Sequence, residues 1–428
     1  MDRAEKTIPL ATQTFSKSRL QFPVGAAPLF LERGSAGRVW DVDGNEYVDL
    51  VCGLLPVLLG YRDADVDTAI RAQLDRGICL SLATELEVEL AERLVEIIPC
   101  AEMVRFAKNG SDATAAIVRL ARAVTGRDHI AVCGYHGWQD WYIGTTTRNL
   151  GVPPAVAALT HKFPYGNLDA LAALLDSRPG EIALVIMEPA STEPPANGYL
   201  QGVRELAHRH GALFALDEII TGFRFALGGA QELFGVVPDL AAFGKGMGNG
   251  MPISAVCGRA DLMHVMEDIF FSGTFGGEAL SLAAAIATID KMRTNPVIDT
   301  LWKTGDAMAA AVERRIDEHG LRQVVSLSGF APWKLIAFYD HSAARKEAIK
   351  TLWIREMASH GVLVNASHNI CFAHDIADIA AVDAAYDAAF ARISDELRRG
   401  DLESRLGSGI VEPVFAVRST GKPAAMTS

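Results

Sequence analysis

No run of about 20 apolar residues occurs in this 428-residue chain, so no segment reads as a membrane-spanning helix. The opening residues, Met1-Asp-Arg-Ala-Glu-Lys-Thr7, are charged and lead into no apolar signal core. No CxxC spacing is present. The six cysteines (Cys52, Cys79, Cys100, Cys133, Cys257 and Cys371) are widely scattered. That pattern fits buried, reduced thiols in a cytoplasm better than a disulfide frame or a zinc site, and no metal is expected. A basic stripe with interleaved aromatics is also missing. With a net charge of −12, nucleic acid is not an expected partner. There is no internal repeat and no internal low-complexity linker.

What the chain has in quantity is hydrophobic surface, half of its residues, enough for a large core and for two domains in one subunit. Val39-Trp-Asp-Val42 alternates and is followed by the turn signal Asp43-Gly44. Asp65 to Arg76 and Thr84 to Ile98 have helical periodicity, and Thr84-Glu-Leu-Glu87 can start the second helix. Strands and helices then alternate. Met103–Phe106, His129–Cys133, Ile182–Met187, Ala212–Asp217 and Leu240–Gly244 read as strands. Ala113–Val124, Leu168–Leu175 and Gly202–His210 read as helices. The pattern argues for an α/β fold, a mostly parallel sheet with helices on both faces. After the alanine-rich helix Glu278–Met292 the chain looks like a separate α+β unit, with helices at 300–318, 346–360 and 376–398 and a strand at 333–339. The expected division is an N-terminal segment (1–62) joining the small domain, a large domain (63–295), a C-terminal small domain (296–406) and a tail (407–428) that is poorly ordered or docked on a neighbour.

Five loops carry candidate chemistry. Lys245 ends the apolar run Pro238–Gly244 and is gripped by glycines, an unusual place for a solvated cation. Desolvated lysines lose their charge readily and can attack carbonyls to form Schiff bases. Asp217 ends the buried-looking run Ala212–Leu216. A lysine and a buried aspartate are the two protein groups that pyridoxal 5'-phosphate (PLP) most needs. Asn109-Gly-Ser-Asp112 lies between a strand and a helix, where Gly110, Ser111 and free N–H groups can cradle a phosphate. Tyr135-His-Gly-Trp138 follows the next strand and can lay an aromatic ring on a cofactor. Ser272-Gly-Thr-Phe-Gly-Gly277 is a second candidate phosphate loop. Singly, each has a plain reading: an N-cap, a rim aromatic, a salt bridge with Arg224, a snorkelling lysine. Their order on successive strand ends is the stronger signal.

These segments resemble the class III, fold-type I PLP aminotransferases, nearest the branch that contains glutamate-1-semialdehyde aminomutase. The resemblance runs from about Pro28 to Ala389. It rests on Trp40-Asp-Val-Asp-Gly-Asn-Glu-Tyr-Val-Asp49, Asn109–Ala113, Ile117–Arg122, Tyr135-His-Gly137, Glu188-Pro189, Asp217-Glu-Ile-Ile-Thr-Gly-Phe-Arg224, Gly244–Pro252 and Gly273-Thr-Phe275. It implies a large domain with a seven-stranded, mostly parallel sheet and a smaller α+β domain built from both ends of the chain. It further implies that Lys245 holds PLP as a Schiff base and later moves the proton, and that Asp217 keeps the pyridine nitrogen protonated. Tyr135 and Ile219 would take the two ring faces, and Gly110 and Ser111 the phosphate. Thr274 would reach the phosphate of the neighbouring subunit in a homodimer with shared active sites.

Two positions bear on the reaction. Many aminotransferases of the class carry Gln where Ile220 stands, and here the chain matches the aminomutase branch. Glu193 instead matches ordinary members, the Ala190–Gly198 segment is shorter than in the aminomutase, and Arg19–Pro23 does not match its N-terminal substrate motif. The expectation is therefore an aminotransferase moving an amino group from an amino-acid donor to a keto or aldehyde acceptor. The alternative is a 2,1-aminomutase, and a third reading is a PLP fold that has lost catalysis. Glu193, His136, Trp138 and His368 are candidate substrate residues. Trp138–Tyr142, Trp333-Lys334 and His368 could line a polar pocket for a hydroxylated acceptor such as a keto-sugar, or could simply be packing residues.

Overall fold

The computed structural model describes residues 1–411. Residues 412–428, most of the expected tail, lie outside the described residues. The described chain divides into two compact units, one made of residues 1–62 with the residues from 299 on, the other of residues 63–298.

In chain order the strands are β1 (Leu31–Ser35), β2 (Arg38–Asp41), β3 (Glu46–Asp49), β4 (Met103–Ala107), β5 (His129–Cys133), β6 (Thr160–Lys162), β7 (Ile182–Met187), β8 (Leu213–Asp217), β9 (Leu240–Phe243), β10 (Ser254–Gly258), β11 (Val325–Phe330), β12 (Trp333–Phe338), β13 (Val362–Leu363) and β14 (Ser367–Asn369). The unit of residues 63–298 holds one seven-stranded sheet in the order β4-β10-β9-β8-β7-β5-β6. Six of its strands run in one direction, and β10 runs antiparallel to both of its neighbours, β9 and β4. The fold is therefore α/β with a mostly parallel sheet. The sequence reading left out β6 and β10, which are three and five residues long.

Strand β7 is buried at every position, as a central parallel strand covered on both faces must be. Its side chains alternate between two cores. Leu184 and Ile186 join Ile130, Val132 and the helix Gly110–Thr125 through Ile117 and Leu120. Val185 and Met187 join Ala131, Phe214 and Leu216 with Leu171, Leu175, Leu200 and Val203 of the helices Leu168–Asp176 and Tyr199–Arg209. The Gly110–Thr125 helix starts three residues before the Ala113 read from the sequence. Asn109 and Asp112 form a reciprocal capping box that begins it there, and Gly126 ends it in the left-handed region at φ 66°. The helix Glu85–Ile97 carries the expected box between Thr84 and Glu87.

The other unit contains a four-stranded sheet, β1-β2-β3-β13, and a three-stranded antiparallel sheet, β11-β12-β14. The helices Lys346–Ser359 and Ile376–Arg399 pack in it, the second capped by Asp375 and ended by Gly400 at φ 79°. The helix Val297–Glu318 begins at the division between the units. Among the described residues, no helix is long and apolar enough to cross a membrane.

Candidate functional site

The register of the large sheet lines up the loops that carry candidate chemistry. Ser254 pairs with Ala107 and Ala255 with Phe243, so β4, β9 and the start of β10 share one end. Asp217 sits beside Ala242, Leu216 beside Met187, and Met187 beside Cys133. The residues just past these strands, Asn109 to Ser111, Lys245, Asp217 itself, Glu188 and Tyr135, therefore follow one another along the carboxyl edge of one sheet. That edge is where open α/β sheets bind ligands.

Asp217 is 4 % exposed. Its Oδ2 lies 2.8 Å from His136 Nδ1, and its Oδ1 accepts the Ile219 N–H at 3.2 Å. The second ring nitrogen of His136 lies 3.2 Å from the Cys133 carbonyl, and the imidazole is 1 % exposed. His136 is thus buried between Asp217 and the Cys133 carbonyl. Its only sequence signal was a histidine next to the aromatic shelf. Glu218, the next residue, points to the opposite side of the strand end. It is fully buried and binds the N–H groups of Ala230 and Gln231 at 2.8 Å. Burial raises its pKa, and hydrogen bonds from Thr221, Ala230 and Gln231 oppose the rise.

Ile219 occupies the centre of the row. A Cβ on Gly110 would fall 2.5 Å from Ile219 Cδ1, and one on Gly244 would fall 3.7 Å from its Cγ2. Gly110 is required by that close approach, not by its backbone angle. The first-turn N–H groups of Gly110 and Ser111 receive no partner from the helix they open. Across from them, Gly137 has φ +104°, and a Cβ there would lie 2.6 Å from Ser111 Cβ. Thr114 Oγ1 donates to the His136 carbonyl at 2.8 Å and fixes the Tyr135–Gly137 turn over the helix start. Ser254 Oγ donates to the Asn109 carbonyl at 2.8 Å, fixing the same loop from the sheet side.

Tyr135 is half-buried, its ring edge-on to Tyr142 with centroids 5.6 Å apart. Glu188 accepts the Tyr135 N–H at 3.0 Å. Lys245 follows Gly244, whose backbone is extended, and itself has φ 38°, a left-handed angle that a non-glycine residue seldom adopts. Thr274 lies in an exposed loop of the same unit, before the helix Ala279–Thr294. That helix is capped by Glu278, which also pairs with Lys108 at 3.0 Å.

The substrate candidates differ in exposure. Trp138 is 69 % exposed and Glu193 is exposed. Trp141 and Tyr142 belong to the core, and Trp333 is buried. His368 is in the other unit, 1 % exposed, with Nε2 2.6 Å from the Tyr386 hydroxyl. Trp141, Tyr142, Trp333 and His368 are thus buried, whereas Trp138 and Glu193 stand at the surface.

A bare backbone at Gly110, unpartnered helix-start N–H groups, an anchored carboxylate and a strand-end lysine fit PLP in charge and in shape. The comparisons agree. The family described as Aminotransferase class-III matches residues 21–393. The chain is similar to a 3-aminobutyryl-CoA aminotransferase of Cloacimonas acidaminovorans, 39 % identical over 370 residues, covering 84 % of this chain and 88 % of that protein. It is also similar to a glutamate-1-semialdehyde 2,1-aminomutase of Syntrophobacter fumaroxidans, 33 % identical over 399 residues, covering 87 % and 92 %. Among solved structures, the PLP internal aldimine form of the Sphingopyxis sp. MTA144 FumI protein superposes with a TM-score of 0.86 at 31 % identity, covering 92 % and 95 %. An omega-transaminase from Sphaerobacter thermophilus gives 0.83 at 26 % identity, covering 92 % and 96 %.

Proposed function

This chain belongs to the class-III aminotransferase family, and from that premise we propose that it moves an amino group from an amino-acid donor to a separate keto or aldehyde acceptor, the two binding in turn. Its cofactor is pyridoxal 5'-phosphate. The observation that carries the reading is the pair of neighbouring parallel strand ends bearing Asp217 and Lys245, with the Gly110 helix start on the same edge. The chemistry supplied by the bound cofactor is an electron sink for the charge left when the donor's C–H proton departs. Lys245 Nζ would hold the cofactor and would be the group that carries that proton. Asp217, anchored by His136, would keep the cofactor's ring nitrogen protonated. Tyr135 and Ile219 enclose the ring. The Gly110 and Ser111 N–H groups and the Ser111 hydroxyl bind the phosphate.

The working unit in this reading is a homodimer in which Thr274 serves the partner's site. Support comes from the exposed Thr274 loop and the exposed aromatics around it, Phe270 (83 %) and Phe275 (59 %). A cytoplasmic setting goes with it, supported by six free thiols.

The relative named 3-aminobutyryl-CoA aminotransferase puts 3-oxoacyl thioesters first in an acceptor panel, ahead of keto-sugars. A second reading, intramolecular 2,1-amino transfer, is favoured by the relatives named as aminomutases. The deciding experiment feeds a nitrogen-labelled amino-acid donor together with unlabelled acceptors. Label appearing in the acceptor's product supports intermolecular transfer. A rearranged product that retains only the substrate's own nitrogen gives the mutase reading, and neither a transaminated nor a rearranged product from any substrate overturns both.

A further inference from the structure

Outside the cofactor edge, the unit of residues 1–62 and those from 299 on buries a second group of reactive side chains. Cys52 lies just after β3. Cys371 and His374 lie in the turn that leads into the helix Ile376–Arg399. Their two sulfurs and one ring nitrogen of His374 all lie within 4.8 Å of one another. Exposures are 1 %, 0 % and 3 %. Sequence reading missed the group because Cys52 is remote in the chain, and only Cys371-x-x-His374 is a local spacing.

We propose that Cys52, Cys371 and His374 form a binding site for a divalent cation of the zinc class. Two thiolates and an imidazole are the donor set that selects such a cation. Charge argues for a divalent ion. Two thiolates and one zinc ion sum to zero, the state that full burial tolerates. On binding, each thiol gives its proton to solvent as its sulfur takes the metal, so two protons leave and no oxidant is needed.

The surroundings support the assignment. His374 Nδ1 accepts the Cys371 N–H at 3.1 Å, while His374 Nε2 and Asn369 Oδ1 are buried without a hydrogen-bond partner, a costly condition for either. The carboxylates nearby are already engaged. Asp49 accepts from the Tyr61 hydroxyl at 2.6 Å and from Val51 N at 2.7 Å. Asp378 pairs with Arg38 at 2.7 Å and accepts from Asp375 N at 3.1 Å. They are left as outer supports rather than ligands. The Cys52 thiol meanwhile lies against the carbonyls of Asn369, at 3.0 Å, and Asp49, at 3.2 Å, and hydrogen-bonds with Cys371. A bound cation would fasten the segment after β3 to the turn before the Ile376–Arg399 helix.

Because the group is enclosed, the cation has to enter during folding. The test therefore expresses the full chain with zinc supplied and measures metal in the purified, cofactor-loaded enzyme after dialysis. About one zinc per chain is expected. Expression with cobalt instead should give a thiolate-to-cobalt charge-transfer band. Cys371→Ser and His374→Gln should each lower retained metal about 10- to 100-fold while the cofactor absorbance persists. Zinc-free wild type after supplementation overturns the proposal. So does equal retention by a Cys52→Ser/Cys371→Ser double variant, or recovery of a Cys52–Cys371 disulfide from the native enzyme. If the single variants fail to fold, the metal content and cobalt spectrum of the wild type decide the matter.

Discussion

His136 reaches Asp217 across an intervening strand. The loop after β5 sends its imidazole past the end of β7 to lie 2.8 Å from the Asp217 carboxylate at the end of β8. A side chain two strands away thereby sets where the carboxylate points. Replacing it with Phe keeps the bulk and removes the bond. A hydrogen bond to a charged group is worth about 1.5–3 kcal/mol, so His136→Phe should lower kcat by roughly 10- to 100-fold, with a weaker hold on PLP. Steady-state kinetics and cofactor titration check this. Unchanged values for both would mean that the histidine only fills space.

Lys245→Ala should abolish turnover and the visible absorbance of the lysine-bound cofactor, while circular dichroism stays that of the wild type. The motive is its position between Gly244 and Gly246 at the end of β9, next to the strand that carries Asp217. Ordinary steady-state turnover by this variant would remove Lys245 from the mechanism.

Gly110→Ala adds a methyl 2.5 Å from Ile219 Cδ1. Overpacking of this kind costs about 1–3 kcal/mol, against a gain of up to about 1 kcal/mol from better helix propensity. The clash should win at the cofactor, with PLP affinity down about tenfold and Tm nearly unchanged. Ile219→Ala in the same chain should recover part of the loss. A double variant no better than Gly110→Ala would show that Ile219 is not what the methyl strikes.

Glu278 caps the Ala279–Thr294 helix and pairs with Lys108, next to the Asn109 loop. Burial raises its pKa, but bonds from Ser281, Lys108 and Leu280 outweigh that and hold it below the ordinary 4.5. A depressed carboxylate pKa stabilises the fold above its unfolded value and stops doing so as pH falls through the folded one. The Tm gap between wild type and Glu278→Gln should therefore be full above pH 4.5 and close below it. A gap that does not change with pH would remove the ionised pair from the explanation.

Mixing Lys245→Ala with Thr274→Glu tests the shared site. Each heterodimer places both lesions in one site and leaves the other whole. Random exchange of equal amounts makes half the dimers mixed, so activity should return to about a quarter of wild type. Subunit exchange without recovery, or activity from a sedimenting monomer, would end the shared-site reading.

Much of the sheet was legible because its strands are short, apolar and separated by amphipathic helices. His129–Cys133 and Ile182–Met187 were bounded as found. Ser254–Gly258 was not read, because it lies directly behind a glycine-rich loop and has no helix to announce it. The cofactor edge was legible as an ordered set of strand ends. The role of His136 was not, since it depends on a contact across the sheet that no local spacing encodes. Nor was the burial of Trp141, Trp333 and His368 legible, since chemical type alone does not say which polar aromatics a core encloses.

Strand β4 stands at the edge of its sheet with β10 as its sole neighbour there. On the ribosome, Met103–Ala107 emerges about 150 residues before the strand it must pair with. Until then its backbone is an open edge, able to pair with another chain. The Gly110 helix start and the Lys245 turn are then fixed in a single late event, when β10 inserts between β4 and β9. A nascent or truncated chain ending before Ser254 would carry every residue up to the lysine and still lack the seam that aligns them.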